Sequence, residues 1–241
     1  RLGSLGDRLV GIRNGIDTGV WNPATDPHIA ATYSADDLTG RELCRAALAA
    51  TAGWDDALPS FAVVSRLADP KGIDLLLDVA RYLPTSPARL AGLGAGDIGL
   101  ADGLRAASES FPEHVWFFDG YDEPLAHQLF AGSDAFVMPS RFEPCGLAQM
   151  QAMAYGSVPV VTDVGGLHDT VIDADTDRGA GTGFVSATVD AAGMVDALPR
   201  GVRAVRHPGR RRGLQSRGMA SDWSWSVPAA RHLEIYAEIS A

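Results

Sequence analysis

From residue 61 the chain alternates short apolar runs with segments of helical periodicity. Apolar residues dominate 61–65, 88–93, 115–118, 135–138 and 158–161, the pattern of strands buried on both faces. Between them, 72–83, 98–109, 123–131 and 147–155 read as helices, and a short helix is expected after Gly166. The alternation predicts βαβ units with right-handed crossovers, hence an α/β fold with a doubly wound parallel sheet. Residues 1–60 read as irregular, with turns at Asn14-Gly15 and Asn22-Pro23. One helix is expected there, over 34–52, with Asp36 and Asp37 in its first turn. The tail 191–241 reads as helical, with an Arg-rich segment inside it.

In such a sheet, ligands bind beyond the carboxyl ends of the strands, and the unusual residues fall in those loops. The most informative is Pro139-Ser140-Arg141-Phe142-Glu143-Pro144-Cys145-Gly146-Leu147. The first amides of a helix lack internal partners and carry partial positive charge, so a loop there suits an anion. Glu143 has the wrong sign for a plain phosphate cradle. It suits a site holding a phosphate and a polyhydroxyl group side by side, as in a sugar nucleotide. The alternative is that Glu143 caps its own helix.

Arg66 and Lys71 follow the first run, five residues apart. Both can reach one diphosphate and neutralise a departing leaving group; the alternative is two solvated loop charges. Gly92-Leu93-Gly94-Ala95-Gly96-Asp97 lacks the full spacing of a dinucleotide fingerprint, so its glycines, Gly96 among them, suit a tight turn beside a ligand. Tyr121 stands where it can stack on a base or simply pack on the surface. Gly165-Gly166 resembles a backbone nest, or a plain turn. His127, in mid-helix, reads as structural. Cys145 has no His-Asp arrangement near it in sequence and reads as a small residue in a crowded loop.

Composition sharpens this picture. The 241 residues are 46% hydrophobic and 21% charged, enough for one large domain with a full core. A net charge of −10 argues against a general nucleic-acid surface. No apolar run approaches a membrane span, and no spacing of His, Cys or carboxylates suggests a metal site. The two cysteines, Cys44 and Cys145, lie far apart, so a reducing cytoplasm is expected. The chain begins with Arg1 and shows no secretory signal pattern, so a fragment, or a chain whose start is missing, is expected. Of 20 basic residues only Lys71 is a lysine. A compact ammonium is not freely exchanged for a guanidinium at a phosphate. The seven arginines from Arg200 to Arg217 read as a solvated helix face or as partners for acids elsewhere; a polyanion site is the minor alternative.

These motifs together resemble the C-terminal half of bacterial glycogen synthases and plant starch synthases. The resemblance runs along almost the whole chain. It includes Gly11-Ile12-Arg13-Asn14-Gly15-Ile16-Asp17 with Trp21-Asn22-Pro23, then Ser65-Arg66-Leu67 with Lys71-Gly72, and Leu93-Gly94-Ala95-Gly96-Asp97 with Gly120-Tyr121. The segments Pro139 to Leu147, Gly165-Gly166-Leu167 with Asp169-Thr170-Val171, and Trp223-Ser224-Trp225 complete it. It implies the second half of a retaining GT-B glycosyltransferase, moving glucose from ADP-glucose to the non-reducing end of an α-1,4-glucan without a metal or other cofactor. In that frame 1–60 is a hinge-proximal segment, 61–190 a Rossmann-like nucleotide-sugar-binding domain, and 191–241 helices of the same domain.

The resemblance further implies that Arg66 and Lys71 hold the diphosphate and that Glu143 binds glucose hydroxyls. Cys145, Gly146 and Leu147 present amides to sugar and phosphate, Tyr121 lies against the adenine, and Asn14 faces the cleft. The glucan acceptor needs a missing N-terminal domain, so the isolated chain is expected to be inactive. Two departures bear on this. Ala148 stands where the family has a polar residue, and Thr162-Asp163-Val164 replaces a basic-rich stretch, which puts an acid near the diphosphate. They leave open a GT-B transferase with another donor or acceptor; a nucleotide-binding module without catalysis follows if the chain is natively only this half.

Overall fold

The computed structural model describes residue 6 and residues 9–55, 57–81 and 83–240. Parts of the expectations for 1–60, 72–83 and 191–241 therefore fall outside the described residues. Helix α1 (Thr39–Thr51) precedes β1 (Ser60–Leu67). Then α2 (Ile73–Ala80) leads to β2 (Arg89–Gly96), α3 (Ile98–Ser110) to β3 (Val115–Asp119), and α4 (Glu123–Gly132) to β4 (Ala135–Met138). After β4 come α5 (Ala148–Ala154), β5 (Val158–Thr162), α6 (Gly165–Thr170) and β6 (Phe184–Ser186). Helices α7 (Ala191–Arg206), α8 (Pro208–Ala220) and α9 (Ser226–Ser240) follow.

The strands form one sheet in the order β3-β2-β1-β4-β5-β6, and every pairing is parallel. Side chains alternate across it. Phe61, Val63, Ala135, Val137, Val158 and Val160 face a core built with α2 and α7. Ala62, Phe136, Met138 and Val161 face the other core, under α4 and α5. Burial on both faces is why the strands read as unbroken apolar runs. Helix starts are fixed by side-chain caps: Asp97 accepts from the Leu100 amide at 3.0 Å, Asp122 from Leu125 at 2.8 Å and Asp190 from Gly193 at 2.8 Å.

The first helix begins later than the sequence suggests. The Ser34 amide donates to the Asp37 carbonyl at 3.0 Å, and the Asp37 carboxylate accepts from Thr39 at 2.9 Å. The acids expected in the first turn thus form a turn before it. Strand β6 carries no clear signal in the sequence, because three residues are too few to show a period.

The segment ahead of α1 is pinned to the domain by a buried polar cluster. Asp26 Oδ2 lies 2.7 Å from His127 Nδ1 and accepts from the Tyr155 hydroxyl. Trp21 stacks on the His127 ring at 4.0 Å. Tyr33 donates to the Tyr155 carbonyl at 2.8 Å. Burial first, then the bond to Asp26, pushes the Tyr155 phenol pKa up. His127 therefore holds residues 21–33 in place. Among the described residues, no helix is long and apolar enough to cross a membrane.

Candidate functional site

The strand order reverses between β1 and β4, and a crevice opens there. The two strands pair only at Phe61–Ala135 and Ala62–Phe136, so the loops after them are free to turn and meet. Pro70 O, after β1, accepts from the amides of Arg141 at 2.9 Å and Phe142 at 3.2 Å, after β4. Gly72 makes the junction possible. Its φ is +63°, and a Cβ there would run into the Pro139 carbonyl. Arg141 clamps the outside, donating Nη1 to Asp74 Oδ1 and Nη2 to Asp74 Oδ2, both at 2.6 Å.

This junction brings together two of the residues singled out from the sequence, 72 positions apart. Lys71 Nζ donates to Glu143 Oε2 at 2.5 Å. The Glu143 side chain is 7% exposed and that of Lys71 20%. The Ser140 hydroxyl donates to the same Glu143 oxygen at 3.3 Å, and Thr162 Oγ1 donates to the Ser140 carbonyl at 2.5 Å. Glu143 Oε1 accepts no hydrogen bond from another described residue. Glu143 therefore does not cap α5, whose N-cap has no side-chain bond. Lys71 keeps ammonium hydrogens to spare, since Lys has three donors.

The loop after β5 closes the far side. The Gly166 amide donates to Glu143 O at 2.9 Å. A Cβ on Gly165 would meet Glu143 O, and one on Gly166 would meet Cys145 O, so the pair seats the Glu143 loop by close backbone approach. Gln149 Nε2 holds the turn from within, with Gly146 O at 2.8 Å. The amides of Cys145, Gly146 and Leu147 have no partner among the described residues.

Other expected site residues make no hydrogen bond within this cluster. The Arg66 guanidinium is exposed at the end of β1 and pairs with no described residue. Tyr121 is 85% exposed and donates to Glu123 Oε2 at 3.2 Å. Gly96 ends β2 opposite Leu67. Asn14 is exposed beside Gly15, which packs on Ser224. Ser140, Thr162 and the Arg141–Asp74 clamp were given no role from the sequence, though Ser140 and Arg141 lie inside the quoted motif and Thr162 inside a quoted departure from the resemblance. Most of the Arg-rich segment serves the fold. Arg200 pairs with Asp173 at 2.8 Å, Arg211 with Asp134 at 3.4 Å, and Arg217 donates to Gly181 O at 2.6 Å. Among the described residues, no group of three or more His, Cys, Asp or Glu is placed to hold a metal ion.

Comparison with known proteins agrees with this architecture. The family model described as "Glycosyl transferases group 1" matches residues 46–201. A glycogen synthase of Alkalilimnicola ehrlichii is 46% identical over 233 residues, covering 95% of this chain and 48% of the relative. One of Granulibacter bethesdensis is 42% identical over 244 residues, covering 98% and 51%. The catalytic domain of starch synthase IV from Arabidopsis thaliana, solved bound to ADP and acarbose, superposes with a TM-score of 0.92 at 34% identity. The match covers 98% of this chain and 50% of that one. The chain spans about half the length of the curated relatives it matches. It belongs to the glycosyl transferases group 1 family.

Proposed function

From that membership we propose that the chain is the donor-binding half of a glycogen or starch synthase. The reaction is retaining glucosyl transfer from ADP-glucose to the non-reducing end of an α-1,4-glucan. The observation that carries the reading is the Lys71–Glu143 contact across the crevice at the strand-order reversal. Unspent donors stand at the same sheet edge: Arg66 and the amides of Cys145, Gly146 and Leu147.

In this reading the diphosphate lies against Arg66, Lys71 and those amides. The bond from the glucose anomeric carbon to the diphosphate oxygen breaks, and its electron pair stays on ADP. The acceptor's 4-hydroxyl oxygen bonds to that carbon and gives its proton to the departing phosphate. Fixed cations contribute most as charge grows on ADP. Glu143 Oε1 accepts glucose hydroxyls, while Lys71 and Ser140 hold the other oxygen. Tyr121 flanks the adenine, Asn14 faces the cleft, and Gly96, Gly165 and Gly166 let the loops that line the ligand pack closely. Starch synthase IV, solved with ADP and acarbose, supports an adenine nucleotide. The half-length match supports a further domain for the glucan. No metal or other cofactor enters this reading, and the setting is cytoplasmic.

The test is transfer of labelled glucose from ADP-glucose to glycogen by the full-length protein, with UDP-glucose as a rival donor. Lys71→Met and Arg66→Ala are expected to lower kcat by about a hundredfold and to change KM far less. A raised KM at unchanged kcat rejects the leaving-group role, and preference for UDP-glucose rejects the adenine donor.

A further inference from the structure

The loop after β5 carries a charge of the wrong sign for an anion site. Asp163 follows Thr162, which bonds the Ser140 carbonyl, and precedes Gly165 and Gly166, which seat the Glu143 loop. An uncompensated carboxylate there repels a diphosphate. The structure shows its compensation. His168 Nδ1, on α6, lies 2.6 Å from Asp163 Oδ1, with the two side chains 69% and 48% exposed.

The other charged groups around His168 are accounted for. Asp169 adjoins it on α6. Across the open cavity stand Asp173, Asp175 and Asp177 of the next loop, with Asp196 and Arg200 of α7. Arg200 takes up Asp173 at 2.8 Å, Asp175 at 3.3 Å and Asp196 at 3.2 Å. Asp177 accepts from the amides of Gly179 and Ala180, both at 2.9 Å. Among the described residues, His168 is thus the ionisable base that reaches Asp163.

We propose that His168 is a charge-compensating, positioning residue of the donor-phosphate rim. Protonated, it cancels Asp163, and the loop after β5 presents no net charge from this pair to a nucleoside diphosphate. Neutral, it leaves the Asp163 charge uncancelled, and the donor binds less tightly. The inference rests on the donor reading above. The bond to Asp163, then the Coulomb attraction of Asp163 and Asp169, holds the His168 pKa above the ordinary 6.5. A raised pKa keeps the compensated state present below that value and loses it as pH rises through it.

Calorimetric titration of the full-length protein with ADP, from about pH 6 to about pH 9, tests this beside Asp163→Asn and His168→Ala. ADP's own terminal-phosphate ionisation meets the same Asp163 in the unaltered protein and in His168→Ala, so the difference between those two reads the base. Relative to His168→Ala, the unaltered protein is expected to lose about three- to tenfold in affinity across the range. His168→Ala is expected to be the weaker binder already at the acid end. Parallel profiles for the unaltered protein and His168→Ala overturn the inference and leave the donor site standing. Absence of ADP binding by all three at every pH overturns the donor reading and this inference with it.

Discussion

Asp134 and Glu143 stand on either side of β4, almost equally buried at 1% and 6% exposure, yet their surroundings differ. Asp134, before the strand, accepts the Ser60 amide at 3.0 Å, Arg45 Nε at 3.2 Å and Arg211 Nη1 at 3.4 Å. Both its oxygens are engaged, and its partners tie β1, α1 and α8 to one point. Glu143, after the strand, spends one oxygen on Lys71 and Ser140 and keeps the other. A carboxylate whose acceptors are filled by the protein serves the fold. One held by a single oxygen is set to accept a bond from something else.

The largest effect that tests this contrast is on stability. Asp134→Ala takes the acceptor from the buried Ser60 amide and one partner each from Arg45 and Arg211, and is expected to cost about 2–4 kcal/mol in denaturant unfolding of the full-length protein. Glu143→Gln keeps the shape and an acceptor, and its cost should be within about 1 kcal/mol. Comparable losses for the two would erase the contrast.

A smaller effect sharpens the comparison with a third carboxylate. The bond from Arg141 lowers the pKa of Asp74, although both side chains are partly exposed, at 33% and 45%. A depressed pKa gives stability that is present above the unfolded value, about 3.9. That stability is lost as pH falls through the folded value. Solvent screening limits this exposed pair to about 0.5 kcal/mol. Asp74→Asn should therefore unfold slightly earlier at neutral pH and match the unaltered protein in strong acid. A difference that persists in acid would mean the clamp does not act through charge.

Much of the fold is legible in the sequence, because parallel strands buried on both faces leave unbroken apolar runs, as in 135–138. The helix starts read near 98, 123 and 191 fall where Asp97, Asp122 and Asp190 cap them in the structure. The start of α1 is not legible, since an acid in a first turn and an acid in the turn before it look alike. Lys71 stands out as the one lysine and Glu143 by its motif. Their contact is set by β1 lying beside β4, a long-range fact that local pattern does not carry. Asp163 reads from sequence as a misplaced acid, and only the path of the loop into α6 brings His168 to it.

Glu143 is proposed to hold the transferring sugar rather than the nucleotide. The most direct test of this is Glu143→Gln in the full-length protein, with glucose transfer and ADP binding measured on the same sample. The expected result is a loss of about 2–4 kcal/mol in transition-state stabilisation, read as kcat/KM, with ADP affinity nearly unchanged. A large loss of ADP affinity, or a glucosyl adduct trapped on Glu143 of the unaltered protein, would contradict it.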